Sequence, residues 1–261
     1  MMTKSLAMDH SFLKKSILLF SVIICICPAV SSFAGITETS HNLSATGSGT
    51  RVTDPSVATC SLCHIPHGGL ALPGKPLWSK AESGTPVTYT LYGKGSTLSG
   101  TTISPPGSSS LSCLSCHDGT IGLAAVTKYG VTTTYTMTTT LPGGLSPTGA
   151  FQPTNVDPAS GYSPYIGTNL MNAHPIGFPF PAGGYTGGGV PGISLSVVDG
   201  GTPDAHLQGG TGTKYPLFQS GSINNFECPS CHDPHLPPVA GQTRFLRAPN
   251  ALICQDCHNV K

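Results

Sequence analysis

Cys60-Ser61-Leu62-Cys63-His64-Ile65-Pro66-His67 is the stretch from which the rest of the chain can be read, because its first five residues set a pattern that recurs three more times. The other copies are Cys113-Leu114-Ser115-Cys116-His117, Cys228-Pro229-Ser230-Cys231-His232 and Cys254-Gln255-Asp256-Cys257-His258. Two thiols three positions apart on one turn of chain reach both vinyl groups of a haem, and the adjacent imidazole then falls under the iron. Each copy therefore reads as a covalent haem site. Cys60, Cys63, Cys113, Cys116, Cys228, Cys231, Cys254 and Cys257 are the attachment points, and His64, His117, His232 and His258 the proximal iron ligands. A lone Cys-x-x-Cys could equally be a disulfide, a thioredoxin-like redox pair or half a zinc site. Four copies, each closed by His, point instead to four covalently bound haem c groups.

The composition agrees with a chain that borrows its core. Gly 33 and Pro 24 make up over a fifth of the 261 residues, only 9% are charged and 7% aromatic. So few large apolar side chains can hardly offset the conformational entropy of ordering the backbone. Four large, flat, mostly apolar haems can, so the expected fold is a haem-cored multihaem cytochrome c, mostly irregular coil with few short helices and strands. Without haem the chain is not expected to fold.

Residues 1–34 read as a signal peptide. Lys4, Lys14 and Lys15 precede an apolar run from Ser16 to Val30, and Ser32-Phe33-Ala34 before Gly35 fits the small-x-small cleavage rule. Cys25 and Cys27 lie inside the segment expected to be removed; Ile24 and Ile26 before them argue against a lipoprotein. Beyond it no apolar stretch is long enough to span a bilayer. The product is expected to be exported, to the cell surface or beyond it, with the periplasm as the alternative. Residues 35–261 are read as one tetrahaem domain: a first haem pair over about 35–127, a loop-rich middle over 128–227 and a second pair over 228–261. Three of the 12 Lys and Arg and one of the 11 Asp and Glu precede Gly35, and the remaining nine and ten are spread without runs. That pattern gives no nucleic-acid footprint. The haem propionates would make the assembled protein acidic.

An iron that transfers electrons is usually closed on both axial sides, whereas one that works on a substrate keeps a side open, so the supply of further histidines is diagnostic. His41, His67, His174, His206 and His235 are available for four distal positions. His41 sits on a polar arm, Gly35 to Arg51, with no evident means of packing itself; its sequon Asn42-Leu43-Ser44 is a weak glycosylation signal. His67 and His235 belong to a longer shared pattern, Cys-x-x-Cys-His-x-Pro-His, in which Pro66 and Pro234 turn the second imidazole away from its own haem towards a neighbour. Proximity along the chain assigns them to the second and fourth haems. His174, before Pro175-Ile176-Gly177-Phe178, looks like a ligand on a fixed turn, and His206, among glycines, is the weaker candidate. Trp78 is expected to pack on a haem face. Val87 to Tyr92 reads as a strand, and Val131 to Leu141 as a strand or hairpin. Arg244 and Arg247 suit haem propionates. No acid–base cluster surrounds any motif, so an electron carrier, not an enzyme, is expected.

The His41-Asn42-Leu43-Ser44 arm, the doubled Cys-x-x-Cys-His-x-Pro-His units and the Ala173-His174-Pro175-Ile176-Gly177 turn together resemble the doubled-motif multihaem c-type cytochromes, in particular the OmcE-type tetrahaem cytochromes that polymerise into extracellular filaments. The resemblance implies a continuous haem stack and subunits joined end to end, carrying electrons over long range to redox partner proteins or extracellular acceptors. It also implies that a subunit can donate an axial histidine to its neighbour, for which His41 is the natural candidate. A monomeric periplasmic shuttle and a multihaem reductase with one open iron are the alternatives.

Overall fold

Runs of β-branched or alternating residues that are broken every few positions by Gly or Pro can form only short strands, and short strands are what the chain contains. The computed structural model describes residues 35–72, 75–80, 87–92, 105–156, 161–180, 197–198, 206–208, 212–220, 223–236 and 245–257. The expected signal peptide and His258 lie outside these. Regular structure among the described residues comprises 3-10 turns at Gly35–Glu38 and Thr59–Leu62, helices α1 (Ser108–His117), α2 (Cys228–Cys231) and α3 (Asn250–Cys257), and strands of two to four residues.

Five small antiparallel sheets result. β1 (Arg51–Val52) pairs with β6 (Met137–Thr138), and β2 (Leu70–Leu72) with β3 (Lys75–Trp78). β4 (Ala125–Lys128) and β5 (Val131–Thr134) form a hairpin. Its two loop residues, Tyr129 and Gly130, have φ of 50° and 76°, as a tight primed turn needs. β9 (His206–Gln208) lies between β8 (Val197–Val198) and β10 (Lys214–Pro216); β12 (Ile223–Phe226) lies between β7 (Phe178–Pro179) and β11 (Phe218–Ser220).

The protein has two apolar clusters of its own, which its composition did not advertise. Leu43, Val52, Val57, Leu62, Ile65, Ala124 and Val126 surround the first haem motif. Phe180, Leu207, Tyr215, Leu217, Phe226 and Ala248 lie beside the third, with Cys231 packed against them.

Two expectations need correction. The Gly35 to Arg51 arm is packed: Leu43 belongs to the first cluster, and Asn42, 2% exposed, donates through Nδ2 to the Thr37 carbonyl and the Thr46 hydroxyl. A nitrogen so used has no room for a glycan. Val87 to Tyr92 is not a strand; it has one isolated bridge, Thr90 to Asn169, because no neighbouring run extends the pairing. The middle segment, 128–227, holds short strands of two to four residues between its loops, several of which carry residues of the second cluster.

Candidate haem-binding site

The first and third motifs are held by the same backbone device. Ile65 N–H donates to the Leu77 carbonyl and Ser79 N–H to that of Cys63; Asp233 N–H donates to the Phe245 carbonyl and Arg247 N–H to that of Cys231. The proximal histidines consequently sit in isolated antiparallel bridges, His64 with Trp78 and His232 with Leu246. Leu77 and Phe245, at the same offset from their histidines, both take the left-handed backbone conformation, φ 48° and 58°. Such values are uncommon for bulky residues and mark a conserved constraint of geometry within the chain. The internal repeat thus extends from Cys60 to Ser79 and from Cys228 to Arg247, well beyond the eight residues legible as a motif.

The second motif is on a helix. Pro105-Pro106-Gly107 stops any earlier structure, α1 buries Ser110 and Leu114 on one face, and Gly119 (φ 78°) ends it just beyond the C-cap Asp118. His117 is its last residue. The His117 Nδ1 lies 2.6 Å from the Pro164 carbonyl, to which it donates, leaving Nε2 as the metal-binding nitrogen. His174 has a similar carbonyl partner at Pro175, 2.9 Å away, and is exposed; the His235 Nδ1 lies 3.4 Å from the Asp233 carboxylate.

The imidazoles fall into pairs. The rings of His41 and His117 have centroids 6.0 Å apart with planes at 79°. Those of His64 and His235 are 6.1 Å apart, planes at 22°. Sequence proximity put His235 with the fourth motif; its ring lies beside the first motif's His64, while His258 lies outside the described residues. His41 also stacks on Phe245 at 4.4 Å, and its Nδ1 is buried with no hydrogen-bond partner. Burial first, then the imidazoles of His117, His235 and His232, push its pKa down to about 3, so it stands neutral, as an iron ligand must. His67 is exposed, without ring contact or side-chain hydrogen bond among the described residues. His206 lies on β9 opposite Pro216 and Val198. Trp78 stands edge-on to His64 at 5.5 Å and donates from Nε1 to Ser115 on α1, tying the first motif to the second.

The seven described cysteine side chains, Cys60, Cys63, Cys113, Cys116, Cys228, Cys231 and Cys254, are free thiols. Cys113 donates to the Cys228 sulfur, which together with burial raises its pKa well above normal; attachment points far apart in sequence are therefore neighbours. Burial also pushes the Cys63 thiol up to about 12, against the opposing pull of Lys80. Lys80, 1% exposed, donates to the carbonyls of Leu123 and Ala125, and its charge lies near both Cys63 and Cys116. This cation could not be placed from sequence, since nothing local marks it. Arg247 pairs with Asp233 at 3.1 Å and donates to the Pro229 carbonyl, so it supports the third motif; Arg244 lies outside the described residues. The donor set fits haem c: vicinal thiol pairs beside an imidazole, with second imidazoles brought to two of them.

Residues 221–261 match the family model of the doubled CXXCH motif. No curated protein matches the chain. The match covers the third and fourth motifs and supports a haem-binding, multihaem c-type cytochrome with an electron-transfer role, a class that is typically exported. A mostly coil fold with few helices and short strands fits such a protein. No helix among the described residues is long and apolar enough to cross a membrane.

Proposed function

We propose that the chain is an exported tetrahaem c-type cytochrome whose irons are closed by histidine on both sides and which conducts electrons. Bound haem c supplies an iron that cycles between ferric and ferrous states; the chain attaches it, closes its axial positions and limits its contact with water. The observation that carries the reading is the pairing of imidazoles beside thiol pairs, His41 with His117 and His64 with His235. The contact between Cys113 and Cys228 supports close spacing of the second and third haems, and hence rapid transfer between them. His67, His174 and His206 remain for the haems of His232 and His258, enough to close both. Closure of every iron by imidazole gives lower potentials than a His/Met site would.

Assembly into an extracellular filament for long-range electron transfer extends this reading. It rests on the resemblance to filament-forming tetrahaem cytochromes and on exposed apolar side chains, among them Tyr129, Val131, Tyr162, Ile166 and Met171, available for contacts between subunits. The packed arm removes the original reason for sending His41 to a neighbouring subunit. The test is haem staining and electron microscopy of material sheared from producing cells, with a haem count on the same fraction. Four haems per chain in thin filaments are expected. Four haems in a small dispersed species would replace the filament by a soluble periplasmic shuttle. Carbon monoxide binding by the reduced wild type would reveal an open iron and favour a reductase.

A further inference from the structure

We infer two axial pairings: the haem of His64 takes His235, from the second half of the chain, as its second axial ligand, and the haem of His117 takes His41, from its own half. This rests on the haem reading above and assigns residues within it. Two imidazoles bound in line to one metal, each at roughly 2 Å and with its ring centre about 1.1 Å behind the bonding nitrogen, have centroids about 6 Å apart. The observed separations of 6.0 and 6.1 Å match those of ligands sharing one iron, and they bring each pair of imidazoles within reach of a single metal. The second shell agrees. Nδ1 of His117 donates to a backbone carbonyl and Nδ1 of His235 faces the Asp233 carboxylate, the arrangement that turns Nε2 to a metal. His67, the repeat equivalent of His235 and the nearest spare imidazole to His64 in sequence, is exposed and makes no ring contact among the described residues. His41 gains from iron what the fold does not otherwise supply, a reason for burying an imidazole beside other imidazoles.

The assignment is tested by removing ligands and haems in combination, in the full matured chain. Covalent haem is counted as the pyridine haemochrome, and open irons by carbon monoxide binding after reduction. His235→Ala is expected to open one of four haems. In a background lacking the first haem, Cys60→Ala with Cys63→Ala, the same change is expected to open none. His41→Ala should behave likewise, with its effect abolished by Cys113→Ala with Cys116→Ala. A carbon-monoxide-binding haem created by His235→Ala in the chain lacking the first haem would overturn the assignment of His235, and the corresponding result would overturn that of His41.

A second readout covers variants that mature poorly. Nearly parallel axial rings give a rhombic low-spin ferric spectrum, and nearly perpendicular rings a strongly anisotropic one. His235→Met and His41→Met, which keep six-coordinate iron, should remove the rhombic and the anisotropic signal respectively; loss of the opposite signal overturns the pairing. A wild type without covalent haem would defeat the haem reading itself, whereas four haems with the wrong pattern of dependence defeat the pairing alone.

Discussion

His41 shows how much a single imidazole can report. Burial holds it neutral, with a pKa of about 3 against 6.5 when free, and an iron bond would exclude the proton as well, so the unfolded chain binds a proton there which the folded chain refuses. Its contribution to stability is therefore complete above pH 6.5 and is lost as pH falls towards about 3. Urea unfolding at a series of pH values between 7 and 4 should show stability falling with acid, and His41→Phe should flatten that slope; an unchanged slope would place the acid sensitivity elsewhere. The sequence disclosed His41 as a ligand candidate from residue type alone. Its pairing with His117 was out of reach, since spacing orders residues along the chain and the partner is chosen through space. Cys-x-x-Cys-His is legible for the opposite reason, because there the chemistry and the spacing are both local.

At the level of elements, the joint between α1 and α2 matters most. The Glu227 carboxylate oxygens lie 3.1 and 3.2 Å from the Gly107 N–H at the start of α1, and the carboxylate accepts from the Ser110 hydroxyl, whose oxygen accepts in turn from Cys228 N–H. A carboxylate is favoured at a helix N-terminus, though burial still raises the Glu227 pKa. A side chain on Gly107 would place its Cβ 2.6 Å from the carboxylate, so this glycine is required for close approach. Glu227→Ala leaves two buried donors without an acceptor and should cost about 2–3 kcal/mol in denaturant unfolding, while Glu227→Gln should cost about 1 kcal/mol. Equal losses would mean that packing, not the acceptor, holds the joint. Strand in the Val131 to Leu141 run was legible in its β-branched threonines, but its partners were not: β5 pairs back with β4 and β6 with β1. α1 was not legible, because its five serines and two cysteines carry no apolar periodicity, and its start is fixed by a glutamate far along the chain.

Over the whole molecule, the two apolar clusters are linked, among the described residues, by polar and ring contacts rather than by a shared core. The connections include Glu227 to Ser110, the Gly35 N–H to the His235 carbonyl, and the His64 and His235 pair. Calorimetry of the haem-loaded protein should give one transition, since iron bonds crossing between clusters would couple them, and His235→Ala should broaden or split it. A single unaltered transition in the variant would show that the remaining contacts suffice. The matched bridges of Cys60 to Ser79 and Cys228 to Arg247, each with a bulky residue in the left-handed region at the same offset, also have a historical consequence. Two halves that share so unfavourable a detail are most simply copies of one ancestral half-length gene. A product of that gene would have carried the histidine that survives as His67 and His235, and if His235 serves the haem of His64, that crossing between halves would have begun as a contact between two identical molecules.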